Sequence, residues 1–312
     1  MTFSTPILFL IFNRPSTTAK VLECIRSIKP NQLYIACDGP RVGNIQDQKL
    51  VHQTRSIVDQ IDWECSIHKL YRDANLGCRK AISGALKWFF SHVERGIILE
   101  DDVLPSEDFF HAMNMFLEIY KDDFKISSIC GRNELALSRG ATNIPTLTDK
   151  FWCWGWASWS NRFNDFNSEV PYKPHYKSNF IVNSIFDRAH TNSMITAMRL
   201  GKVNTWDYPL DFFFRSRSMK SLLLPFNSII NLGFGSGTHT SISCADNAFH
   251  QFPLNNSYFQ NIPVYDKSHT LKIFLLRNSG SYIKLILYII AHYFLAISLK
   301  YSRYKSFLKE AL

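Results

Sequence analysis

The sequence predicts an α/β chain: a mostly parallel central sheet with helices on both faces, followed by a helical tail. Three observations carry this expectation. Residues 7–12 form an unbroken apolar run, as in a strand covered on both faces. From residue 7 to residue 102 such runs alternate with segments of helical periodicity. Each run ends in polar residues, which in parallel sheets gather at the carboxyl edge where ligands bind.

Ile7-Leu8-Phe9-Leu10-Ile11-Phe12 lacks the alternation of a sheet with one wet face. Asn13-Arg14-Pro15-Ser16 stops it, and Ser16 or Thr17 then caps a helix with Val21, Leu22, Ile25 and Ile28 on one face. Gln32–Cys37 reads as a second strand, ended by Asp38-Gly39-Pro40. Leu50, Thr54, Ile57, Val58 and Ile61 mark the next amphipathic helix. A third strand over Ser66–Tyr71 leads into Arg72-Asp73-Ala74-Asn75-Leu76-Gly77. The following helix carries Ala81, Ile82, Ala85, Leu86, Phe89, Phe90 and Val93. Gly96–Leu99 is a fourth strand, with Glu100-Asp101-Asp102 directly after it.

Beyond Asp102 the texture changes. A helix spans Ser106–Tyr120, and Ile126–Cys130 is a strand. The polar stretch to Lys150 reads as loop. Phe151–Trp159 holds four of the seven tryptophans, a density above ordinary core usage. Phe180–Leu200 is helical. Leu222-Leu223-Leu224-Pro225 and Ile229-Ile230 read as edge strands, because proline cannot donate to a central ladder. Residues 233–239 are a glycine-rich loop. Tyr282–Leu299 is apolar except for a few positions such as Lys284 and His292, and Lys300–Lys305 is basic. This tail is either an interfacial helix on anionic headgroups or a packed helix.

Hydrophobic residues make up 46% of the 312 and charged residues 20%, which excludes wholesale disorder. Lys and Arg number 35 against 26 Asp and Glu, a net charge of +9. That excess suits a phosphate-bearing ligand, an acidic lipid surface or nucleic acid, or else a merely soluble basic surface. Seven scattered cysteines without a CxxC pair exclude a disulfide scaffold and a zinc knuckle, and fit a reducing cytosol. Met1–Pro6 has no basic n-region, so no signal peptide is expected.

Glu100-Asp101-Asp102 is the leading functional candidate. Adjacent carboxylates repel, and a hard cation that also holds phosphate oxygens explains them; a solvated turn is the alternative. Asp38 either accepts from a base or ribose or forms an Asx turn. Arg14 pairs with phosphate or nucleobase, or lies in solvent. Arg72, Asn75 and Gly77 enter a helix N-terminus, a natural place for a polar ligand or simply a tight turn. Trp206 is a sugar-facing wall or a core residue. Asp207 and Asp211 share a helical face, and one of them is the candidate general base. His239 reaches a metal or diphosphate, or is structural.

Together these segments resemble the GT-A (Rossmann-like) glycosyltransferase fold. More closely, they resemble a bacterial nucleotide-sugar transferase family related to animal N-acetylglucosaminyltransferase I. The resemblance rests on ILFLIFNRP at 7–15, LYIACDGPR at 33–41, RDANLGC at 72–78, IILEDD at 97–102, CWGWASW at 153–159, TWDYP at 205–209 and GFGSGTHT at 233–240. It implies a nucleotide diphosphate sugar donor, with uridine as the nucleoside, and Mn²⁺ or Mg²⁺ held by Asp102. Glu100 and Asp101 would contact the sugar and ribose, Arg14 and Asp38 the nucleoside, and Trp206 the donor sugar. Asp207 would be the base of an inverting displacement. Residues 1–102 would then form the nucleotide-sugar half, 103–245 the acceptor-side half, and 246–312 a membrane-associating extension. The expected acceptor is a glycan or lipid-linked glycan in surface polysaccharide synthesis. The expected location is cytoplasmic, on the inner face of the membrane, with no nucleic-acid partner.

Two other classes compete. A nucleotidyltransferase acting on sugar phosphates uses a related sheet, but Asn13-Arg14-Pro15-Ser16 has none of the glycine its phosphate loop needs. A non-catalytic carbohydrate-binding protein would use the tryptophans and leaves the acidic triplet without a role.

Overall fold

The computed structural model describes residues 3–169, 172, 181–233, 262–266, 268–277, 283–294 and 297. His239, most of the glycine-rich loop and the basic segment at 300–305 lie outside the described residues.

The first half is four parallel strands with crossover helices, as the apolar runs require. β1 (Ile7–Ile11), β2 (Gln32–Cys37), β3 (Ser66–Tyr71) and β4 (Arg95–Glu100) lie in the order β4-β1-β2-β3. α1 (Pro15–Ile28), α2 (Ile45–Val58) and α3 (Cys78–Phe90) connect them. Alternate residues of β1 feed two cores. Ile7, Phe9 and Ile11 pack with Val21, Ile25 and Val51 of α1 and α2. Leu8 and Leu10 pack with Ala85, Leu86 and Phe89 of α3. The sheet is therefore covered on both faces, which explains the absence of polar alternation in β1.

α1 differs in its start. Pro15 occupies the first turn and Arg14 the cap position, with no side-chain cap from Ser16 or Thr17. Proline has no N–H to satisfy, so the first turn needs one partner fewer. α2 begins earlier than its apolar residues suggest, because the Asn44 side chain accepts from the Asp47 N–H at 3.0 Å.

The second half extends the same sheet. β5 (Val103–Pro105), α4 (Glu107–Ile119), β6 (Ile126–Cys130), α5 (Glu134–Arg139), β7 (Thr146–Thr148), β8 (Trp156–Trp159), α6 (Ile181–Arg199), α7 (Asp207–Ser216), β9 (Lys220–Leu223), β10 (Ile229–Asn231), β11 (Val264–Tyr265) and α8 (His269–Arg277) follow in order. The nine-stranded sheet runs β11-β7-β9-β6-β8-β4-β1-β2-β3. Its parallel pairings outnumber the antiparallel ones, which are β4–β8, β6–β8 and β7–β9.

Three expectations change here. β9 is interior, between β6 and β7, and Pro225 lies just past its end, where the ladder no longer needs a donor. α5 and β7 stand in the stretch read as loop. Trp156 and Trp159 are core side chains of β8, on opposite faces of the sheet. Residues 264–265 also belong to the sheet, as β11 pairs parallel with β7.

Candidate functional site

Four adjacent parallel strands place their carboxyl ends side by side. Asn13 and Arg14, Asp38, Arg72 and Asn75, and Glu100 through Asp102 therefore share one edge. Arg14 joins two of these ends. Its guanidinium donates to Asp101 at 3.3 Å and also to Asp102. Asp101 accepts the Phe12 N–H at 3.0 Å and is only 5% exposed, so it ties the end of β4 to that of β1.

The charge balance at this edge is negative. Burial, and then Asp102, push Asp101 up to about 7. Burial followed by the charges of Asp102, Asp101 and Asp207 raise Glu100 well above the usual carboxylate range. Burial lowers the Arg14 guanidinium, but Asp102, Asp101 and Glu100 outweigh it and raise it. Burial first, then Glu100, Asp207 and Asp38, push the Cys78 thiol up to about 12. The charges of Glu100, Asp207 and Asp38 thus all act on the one thiol.

Asp207 is the first residue of α7, where the helix N-terminus favours a carboxylate. It accepts the Thr205 hydroxyl. Asp211 is committed elsewhere: it accepts the Phe151 N–H at 2.8 Å and the Arg215 guanidinium at 3.3 Å. Of the two, Asp207 is therefore the one that stands with the triplet. Trp206 turns inward. It is 3% exposed and stacks on Trp156 at 6.1 Å, so it braces the start of α7 instead of offering a ring to a sugar.

Asp38 staples two loops. Its carboxylate accepts the N–H groups of Gly39, Leu76 and Gly77, each at 3.0 Å. Asn75 Nδ2 donates to the Gly39 carbonyl at 2.8 Å, and Arg55 donates to the carbonyls of Asp38 and Arg72 at 3.3 and 2.7 Å. A Cβ on Gly39 would meet the Ala74 backbone at 2.5 Å, so only glycine fits. The Asx-turn reading of Asp38 thus describes its contacts, and its side chain shapes the edge through the backbone it holds. Arg72 is half-buried, and burial lowers its guanidinium.

Residues 231–233 lie across Asp102. β10 pairs antiparallel with β5, the Leu232 N–H donates to the Asp102 carbonyl at 2.7 Å, and a Cβ on Gly233 would collide with Asp102 Oδ2. Gly233 therefore packs directly against the triplet. Among the described residues no group of three or more His, Cys, Asp or Glu is arranged as a metal cage. The donor set nevertheless fits Mg²⁺ or Mn²⁺ in one respect. Oxygen ligands with surplus negative charge surround Asp102, and such ions commonly take one or two carboxylates and complete their shell with phosphates.

Sequence reasoning passed over Asp47, Arg55 and Thr205. Asp47 is 2% exposed and receives Asn13 at 2.8 Å and Arg41, whose hydrogen bond is the main reason its carboxyl is pulled down to about 2. The Asn44–Asp47 spacing at a helix start was the available signal.

No family model matches the chain, and no curated protein does. Among solved structures, a UDP-glucose pyrophosphorylase complexed with UDP-glucose is similar at TM-score 0.39 and 11% identity, covering 74% of this chain and 94% of that one. TarS from S. aureus is similar at TM-score 0.38 and 13% identity, covering 69% and 70%. HddC from Yersinia pseudotuberculosis is similar at TM-score 0.30 and 8% identity, covering 50% and 77%.

Proposed function

We propose that the chain is a metal-dependent inverting glycosyltransferase that takes a sugar from a nucleotide diphosphate donor, with uridine as the nucleoside. One observation carries this: Glu100, Asp101, Asp102 and Asp207, from opposite halves of the sheet, share one electrostatic site with Arg14. A neutral or cation-poor ligand leaves that charge unbalanced. A diphosphate arriving with a divalent cation balances it, and Asp102 would hold the ion with the ligand's phosphates. When bound, the ion supplies charge stabilisation to the departing diphosphate.

The chain's own residues supply the rest. Asp207 takes the acceptor hydroxyl proton onto a carboxylate oxygen. The acceptor oxygen forms its bond to the anomeric carbon as the sugar–phosphate bond breaks, and the electron pair leaves on the diphosphate. Thr205 fixes the Asp207 carboxylate, and α7 orients it. Arg14 steadies Asp101 and Asp102, while Asp38 and Asn75 hold the floor of the nucleoside side. Peripheral contact with an anionic membrane belongs to the same proposal. Ile283, Ile286, Leu287, Ile290 and Phe294 form an exposed apolar side on the helical residues 283–294. Among the described residues no helix is long and apolar enough to cross a membrane.

Asp207→Asn tests the chemistry. It is expected to keep UDP binding and to lose about 10²- to 10⁴-fold in transfer, the span of a lost general base. Unchanged turnover removes Asp207 from the reaction. Release of pyrophosphate from a sugar phosphate and a nucleoside triphosphate would identify a nucleotidyltransferase instead.

A further inference from the structure

Next to the carboxylate site lies a cavity of about 220 Å³, with walls from α6, α7, α8 and the helical residues 283–294. Tyr208, Phe212 and Arg215 of α7 face it, spaced as one side of a helix. That side begins one residue past Asp207. Tyr208 in its wall is the next residue in α7 after the candidate base.

The wall carries two cations, Lys150 and Arg215, and two carboxylates, Asp187 and Asp211, and its ion pairs are unevenly shared. Arg215 takes both carboxylates as direct partners. Lys150 makes no ion pair among the described residues. Its ammonium lies 5.7 Å from the centre of the Trp152 ring and 5.8 Å from that of Tyr208. Two buried wall nitrogens, Trp152 Nε1 and His190 Nδ1, have no hydrogen-bond partner. The Lys150 charge acts on Asp211 from a distance, without an ion pair, and His190, Tyr208 and Tyr288 in the same wall carry no opposite charge. Burial, and then Lys150, His292 and Arg215, keep His190 well below the ordinary histidine range, and burial pushes the Tyr288 phenol up to about 12. Aromatic faces, an indole N–H and an ammonium without an ion pair thus converge where both wall carboxylates have Arg215 as their direct partner.

We propose, resting on the glycosyltransferase reading above, that this cavity is the acceptor subsite and selects a sugar unit carrying an anionic group, a carboxylate or a phosphate. Trp152 and Tyr208 cover the apolar face of the ring. Lys150 receives the anion, and the Trp152 N–H donates to an oxygen of the same unit. A half-buried ammonium needs a counter-charge once a ligand displaces its water. An uncharged sugar of the same shape removes that water and gives nothing back, so it is rejected. The cavity size suits a single pyranose.

Calorimetric titration of the full chain tests this with methyl glucuronide, glucose 1-phosphate and the neutral methyl glucoside. At least one anionic sugar is expected to bind about tenfold or more tightly than the glucoside. Preference for the glucuronide assigns the carboxylate, and preference for glucose 1-phosphate assigns the phosphate. Lys150→Met is expected to erase the preference and Lys150→Arg to retain it. Equal binding of all three sugars by the unmodified chain overturns the proposal without recourse to any variant, and so does a folded Lys150→Met that keeps the preference. UDP with Mn²⁺, titrated into the same unmodified sample, separates the two readings. UDP binding without anionic preference sinks the subsite alone. Absence of UDP binding removes the glycosyltransferase reading, and the acceptor role with it.

Discussion

Arg14, at the carboxyl end of β1, is ion-paired with Asp102, just past β4, and reaches Asp101 at 3.3 Å with the same guanidinium nitrogen. These residues lie far apart in sequence and meet only because β1 and β4 are parallel neighbours. The pair sits where the charge is most crowded, since Glu100 and Asp207 act on the same region. One guanidinium does not neutralise four carboxylates, and this imbalance makes the site respond to protons and to cations.

The pH response follows from Asp101. Its carboxyl is pushed up to about 7 from an ordinary 3.8, so between these values the folded chain holds a proton that the unfolded chain has lost. Stability without ligand therefore falls as the pH rises from about 4 to about 7. A divalent cation competes with those protons, so Mn²⁺-dependent UDP binding strengthens as the pH climbs through about 7 and releases protons. Calorimetry in two buffers of different ionisation enthalpy reads the release. Affinity that stays flat across this range contradicts the expectation.

Asp38→Ala removes the acceptor of the Leu76 and Gly77 amides. The buried Gly39 amide loses its acceptor too, and leaving a buried donor unpaired costs about 1–3 kcal/mol, which urea unfolding measures. Asp38→Asn keeps one acceptor oxygen and is expected to lose less. A residue that serves only the ligand would show unchanged unfolding and weaker nucleotide binding.

Ile286→Glu with Ile290→Glu places charge on the exposed apolar side of the helix at 283–294, where these residues are 56% and 44% exposed. The inward Leu285, at 1%, is untouched. The expected outcome is an unchanged melting temperature and loss of sedimentation with phosphatidylglycerol vesicles. Equal sedimentation of the double variant and the parent argues that the tail serves another purpose.

Much of the fold was legible because burial on two faces leaves a plain mark. β2 has the bounds that its apolar run suggests, and β6 those read for it, both buried along most of their length; β3 also has the bounds read for it, although it is the exposed edge strand. The places that misled share a cause: local rules were applied where tertiary context decides. Pro225 suggested an edge, yet it lies outside the β9 ladder. The tryptophans of 151–159 suggested one binding surface, but β8 is sandwiched between β4 and β6 and buries Trp156 and Trp159 in the two cores, while Trp152 lines the cavity. The carboxylate edge was readable from strand ends alone. The cavity beside it was not, because Lys150, His190, Tyr208, Arg215 and Tyr288 sit in separate segments with no shared motif.

The most direct test concerns Asp102. The melting temperature of the full chain is measured with UDP alone, Mn²⁺ alone and both, for the parent and for Asp102→Ala. Binding at about 100 times the dissociation constant adds about 2.7 kcal/mol, enough for a clear shift. The expected result is stabilisation of the parent only when both are present, and none in Asp102→Ala. UDP stabilisation without the cation, or full cation-dependent stabilisation in Asp102→Ala, would contradict a nucleotide–metal site at the end of β4.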